Sequence, residues 1–172
     1  MSELKTVAKR LLLLALVVGI VGCDRVSKHV AAQTLAGEPA QSYLLDTVQL
    51  SYAENPGSFL SLGAELPELV RFAIFTLGVG IVLVWLTAHA ILARWSGASL
   101  VGVTMFVAGG ASNWVDRLSD GIVVDFLKVG VGPIRTGIFN VADMALMAGL
   151  VILCLSEIFR GRKQRHGHRR SG

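Results

Sequence analysis

The feature that most constrains this chain is a run of roughly 20 mostly apolar residues, 139–159, long enough to cross a bilayer as a helix. It opens with Phe139-Asn140-Val141-Ala142-Asp143-Met144 and continues through Leu150, Val151, Ile152 and Leu153 to Phe159. Asp143 lies about one turn inside its start, with Asn140 one turn earlier on the same face. A carboxylate in that position costs several kcal/mol unless it faces protein or water, so an acid inside a span marks a functional site. A proton relay, an ion site or a catalytic acid would each account for it. A second acid, Asp125 in Gly121-Ile122-Val123-Val124-Asp125-Phe126, precedes this run by a short connection.

Three further spans are expected. Of the 172 residues 53% are hydrophobic and 16% charged, and the mean hydropathy is +0.62, values that belong to integral membrane proteins. The first span, 10–33, follows Lys9-Arg10. Its Ile20-Val21-Gly22-Cys23 imitates a lipoprotein signal peptide, which would be cleaved before the cysteine. Against that, Asp24-Arg25-Val26-Ser27-Lys28 continues the helical register, with Asp24 and Lys28 at i and i+4, acid first. A permanent helix with an uncleaved N-terminus is the expectation. The second span, 69–93, has His89 near one end, read as interfacial, and Pro67 suits the turn before it. Arg94-Trp95-Ser96-Gly97 reads as a hinge with basic and aromatic interface anchors. The third span, 98–117, is rich in Gly and Ala, which let membrane helices approach closely. It ends with Asn113, Asp116 and Arg117 on one face; a plain helix-end ion pair would equally explain Asp116-Arg117.

Residues 34–67 are too polar to span. Thr47-Val48-Gln49-Leu50-Ser51-Tyr52 alternates at period two and reads as a strand with Val48, Leu50 and Tyr52 on one face. Asn55-Pro56-Gly57 is a turn signal. A second strand-like stretch, 122–129, precedes a Gly-rich turn. Cys23 and Cys154 read as small buried apolar residues. Residues 160–172 form a basic tail in which His166 and His168 lack further ligands for a metal, and no metal site or cofactor is expected. No aromatic residue interleaves the tail, so nucleic acid is not an expected partner.

Four spans put both termini on one side. The two tails and Arg94 carry ten of the sixteen Lys and Arg residues, so that side is expected to be cytoplasmic. Asp24, Asn55, Asn113, Asp116, Arg117, Asp125, Asn140 and Asp143 then gather at the opposite, outer face. Two acids held together near a membrane face suit an aspartyl-type hydrolase. Such a pair cannot both ionise easily and shares a proton, one carboxylate taking a proton from water while the other carboxyl donates to the carbonyl. Asn113 and Asn140 suit hydrogen bonding to a substrate backbone, and Arg117 suits holding Asp116 or a substrate group.

The chain resembles the lipoprotein signal peptidases (signal peptidase II). The resemblance rests on Asp24-x-x-Ser27-Lys28, Glu54-Asn55-Pro56-Gly57, Gly109-x-x-x-Asn113-x-x-Asp116-Arg117, Val124-Asp125-Phe126 and Phe139-Asn140-Val141-Ala142-Asp143. Their order and spacing cover about residues 11–159. It implies an all-α membrane protein of four transmembrane helices with a small exoplasmic β-sheet and lid. It also implies a multi-pass aspartyl endopeptidase of the bacterial inner membrane that cuts signal peptides from diacylglyceryl-modified prolipoproteins immediately before the lipidated cysteine. Membrane lipids are the other expected partners. The family's catalytic acids fall on Asp125 and Asp143. Its other recurrent polar positions fall on Asp24, Lys28, Asn55, Gly57, Asn113, Asp116, Arg117 and Asn140. Two departures, Ser112 where the family has Gly and Ser58-Phe59-Leu60 after Gly57, bear on substrate fit. The alternative from another class is a small proton-coupled transporter or channel subunit, which predicts polar residues along the whole depth of the spans.

Overall fold

The computed structural model describes residues 2–57, 63 and 65–168. Ser58-Phe59-Leu60 and the adjoining part of the expected lid lie outside the described residues. Among the described residues, four helices are long and apolar enough to cross a membrane: α1 (Ser2–Thr34), α2 (Glu68–Leu92), α3 (Gly97–Ser119) and α4 (Val141–His168). α1 and α3 contain the expected spans 10–33 and 98–117, α2 stops one residue short of position 93, and α4 begins two residues after position 139. α1 starts eight residues before position 10 and runs without a break through Cys23, the position of the imitation cleavage site. α4 continues as helix past position 159, where the sequence pattern placed the start of the tail. Cys23 and Cys154 are both exposed on the protein surface, not buried as their apolar setting implied; in a spanning helix that surface is one lipid can cover.

α3 is the centre of the bundle, with α4, α1 and α2 packed around it. The α3–α4 seam is the tightest, and its glycines explain why. A Cβ placed on Gly109 would lie 2.3 Å from the Ala142 carbonyl oxygen, so no larger residue lets the two backbones approach this closely. α2 is not uniform. Phe72–Gly78 is π-helical, a widening common near functional sites. Trp114 of α3 reaches this stretch, its indole N–H donating to the Thr76 carbonyl at 2.7 Å. His89 stacks on Trp85 and meets Trp95 edge-on, in keeping with an interfacial aromatic cluster.

Between the helices lies one antiparallel sheet in the order β1-β2-β3-β4: β1 (Gln41–Tyr43), β2 (Val48–Asn55), β3 (Val123–Val131) and β4 (Ile134–Arg135). β2 covers most of the stretch whose alternation predicts a strand, and β3 corresponds to the strand-like stretch 122–129; β1 and β4 are too short to show a period. The expected face of β2 needs correction. Leu50 pairs with Leu127 but Ala53 pairs with Asp125, so β2 carries one extra residue between them. Such a bulge shifts the alternation by one. Tyr52 therefore leaves the face of Val48 and Leu50, and its hydroxyl donates to Glu54 at 2.9 Å.

Candidate active site

The bulge decides where Asn55 points. Past it, Ala53 and Asn55 share the face of Val123 and Asp125, because side chains on one face recur every second residue. Asn55 Nδ2 donates to Asp125 Oδ2 at 2.8 Å, and its Oδ1 accepts the Gly57 N–H at 3.0 Å. One amide thus holds both the acid and the turn that follows β2. Phe139 pairs with Leu127, laying the segment before α4 alongside β3 and bringing Asn140 level with Asp125.

Asn140 is the N-cap of α4. Its Oδ1 accepts the Asp143 N–H at 2.9 Å, and Asp143 Oδ2 accepts the Asn140 N–H at 3.3 Å. This reciprocal pair is a capping box, built here with Asn and Asp. Asn140 Nδ2 meanwhile donates to Asp125 Oδ1 at 2.6 Å. The same residue therefore touches both acids, one on a strand and one on a helix. Asn113 of α3 completes the link, donating to Asp143 Oδ1 at 2.9 Å and accepting from Asn140 at 3.2 Å. Each of the two side-chain amides donates to a carboxyl, Asn113 to Asp143 and Asn140 to Asp125.

A charged cluster lies behind them. Lys28, a residue only 6% exposed, donates from Nζ to Asp24 Oδ2 at 2.6 Å, Asn113 Oδ1 at 2.7 Å and Asp116 Oδ2 at 2.7 Å. All three donor positions of the ammonium are thereby used. Asp24 is fully buried; it also accepts the Ala142 N–H at 2.9 Å, which satisfies another free amide at the start of α4. Ser112 Oγ donates to Asp24 Oδ2 at 2.7 Å, so the departure at this position touches Asp24 and not Asp125 or Asp143.

The expected Asp116–Arg117 pairing needs correction. Asp116 pairs with Lys28 and with Arg25, whereas Arg117 donates to the Gly57 carbonyl at 2.7 and 3.0 Å. Successive helix residues point about 100° apart, so the two side chains serve different partners. Arg25 is the contributor that sequence reasoning missed; its signal was a third charge between Asp24 and Lys28 in an apolar run. All ten residues singled out in the sequence stand in this one connected network.

Burial pushes the Asp125 carboxyl above its ordinary range, while the hydrogen bonds from Asn55 and Asn140 and the charges of Lys28 and Arg117 oppose the rise. Asn140 and Asn113 tie Asp125 and Asp143 into one hydrogen-bonded group. Beside Asp143 opens a cleft of about 430 Å³ between α2, α3 and α4. Asn113, Arg117 and Asp143 form its polar part, and Val82, Phe106 and Leu146 are among its apolar walls. The slot is apolar along most of its wall and polar at the end where Asp143 stands.

Residues 16–159 match the family described as Signal peptidase (SPase) II. A lipoprotein signal peptidase of Streptococcus pneumoniae is 32% identical over 149 residues, covering 86% of this chain and 93% of that protein. One from Moorella thermoacetica is 32% identical over 143 residues, covering 83% and 89%. A solved bacterial membrane enzyme superposes with a TM-score of 0.73 at 23% identity, over 85% of this chain and 87% of its own. That last likeness is one of fold.

Proposed function

Because the chain belongs to the signal peptidase II family, membrane peptidases that remove signal peptides from prolipoproteins, we propose that it works as an aspartyl endopeptidase. Asp125 and Asp143 are its catalytic pair. The observation that carries this reading is Asn140, whose side chain and backbone hold one oxygen of each acid. One carboxylate takes a proton from water as it attacks the scissile carbonyl. The other carboxyl donates its proton to the carbonyl oxygen, and the shared proton is restored when the amine leaves.

Lys28, Asp24 and Asp116 hold Asn113 and the start of α4 in place, and Asn55, Gly57 and Arg117 fix the turn beside Asp125. The substrate is a lipid-modified prolipoprotein, cut immediately before its modified cysteine, with the apolar walls of the 430 Å³ cleft taking the apolar part of the signal peptide. The acids face the outside and both termini the cytoplasm, a reading supported by the basic residues at the opposite helix ends. A transporter would need ionisable groups spread through the spans. Among the described residues, the buried ionisable groups Asp24, Lys28, Asp116, Asp125 and Asp143 all belong to one cluster.

The test is cleavage of a diacylglyceryl-modified precursor by the purified protein. Asp125→Asn and Asp143→Asn are each expected to fall below about a tenth of the wild-type rate while remaining folded, because residues acting as a unit lose most activity singly. A single variant that keeps more than that removes its residue from the pair.

A further inference from the structure

Among the described residues, α1 packs on α3 and α4 but forms no comparable seam with α2. The gap over α3 is an apolar cleft of about 690 Å³, within the range of about 300–1,000 Å³ typical of small-molecule sites. Val17, Ile91, Leu100 and Val107 are among its walls, and Lys9, Arg10, Arg94 and Trp95 line the end near the start of α1. From Lys9 to Val17 the helix rises about 12 Å, most of the roughly 15 Å depth of one hydrocarbon leaflet.

The charge lining this cleft is one-sided. No Asp or Glu lines the cleft, and none of Lys9, Arg10 and Arg94 forms an ion pair among the described residues. Arg94 also takes a φ of 51°, a left-handed conformation unfavourable for a residue with a side chain.

We propose that this cleft binds one anionic phospholipid of the adjoining leaflet. An acyl chain lies against Val17 and Val107, and the phosphate meets Lys9, Arg10 and Arg94. Basic pockets between spanning helices recognise lipid headgroups in this way. Trp95 sits where the headgroup joins the chains, the depth that indole rings prefer. The depth and apolar lining separate this site from a surface that merely gathers free phosphate.

The experiment is native mass spectrometry of the full-length protein released from micelles holding equal phosphatidylglycerol and phosphatidylcholine. The wild type is expected to retain phosphatidylglycerol preferentially. The K9Q/R10Q/R94Q variant, altered only at exposed positions, is expected to bind it roughly a hundredfold more weakly. Lys5 and the basic residues of 160–172 remain to hold its orientation. Val17→Trp keeps every charge but fills the cleft, and is expected to lose both lipids. Ile91→Trp, at a position 70% exposed, repeats that test without touching the packed interior. Equal retention of the two lipids by the wild type would overturn the proposal. So would undiminished phosphatidylglycerol on K9Q/R10Q/R94Q, or on both Trp variants.

Discussion

Lys28 shows how a single side chain can decide whether a buried charge cluster is tolerated. Its ammonium is shared by two carboxylates from different helices, α1 and α3. Removing one partner of a buried ion pair leaves the other charge without compensation, at about 3–5 kcal/mol. Lys28→Met, close in length and shape, is therefore expected to lower the unfolding midpoint in detergent by many degrees, whereas Arg160→Met, at an exposed surface pair, should leave it nearly unchanged. Asp125 supplies the pH dependence. Its carboxyl is raised by burial, so between its ordinary value of about 3.9 and its folded value the native state holds more protons than the unfolded chain. Stability then falls as pH rises through that window. The melting-point gap between wild type and Asp125→Asn should change with pH across that window and level off above it. Cleavage by the coupled pair should decline toward both acid and alkaline pH, and a rate flat from one end to the other would count against a shared proton.

At the scale of elements, the α3–α4 seam and the β2 bulge place the acids. Gly109→Ala would put a methyl group 2.3 Å from the Ala142 carbonyl, a contact that forces the helices apart. Asn113 would then draw away from Asp143, and cleavage should drop at least about tenfold, by analogy with other misplacements of about an ångström. Gly19→Ala, with nothing within 4 Å of the added carbon, is the control and should keep full rate. The sequence was informative where periodicity governs structure. Four apolar runs gave the helices, alternation gave β2, and a strand-like composition gave β3. It was silent where a local irregularity intervenes. Nothing in Leu50-Ser51-Tyr52-Ala53 marks the bulge, and nothing in Phe72–Gly78 marks the π-helical stretch, since both depend on what packs opposite. The amides of Asn55, Asn113 and Asn140 were visible as polar residues near one face. Which partners they hold depends on χ angles and on the extra residue in β2, which a linear pattern does not encode.

For the molecule as a whole, the separation of charge and apolar surface along the helices made the candidate site legible before any coordinates. Its polar residues were expected at one depth, and they do form one network. That network contains four carboxyls, Asp24, Asp116, Asp125 and Asp143, and three cations, Arg25, Lys28 and Arg117. On the proposed mechanism, in which one proton is shared between Asp125 and Asp143, the group carries no net charge. A bacterial membrane supports a voltage, and each unbalanced elementary charge moved across it changes the energy by about 2.3 kcal/mol per 100 mV. A group that is neutral as a whole adds no net charge to such movement, so the proposed centre is expected to work without coupling to the energised state of the cell. Proteoliposomes clamped at zero or at a negative internal potential are expected to process substrate at the same rate. A rate that follows the imposed voltage would show that the group is not electrically balanced.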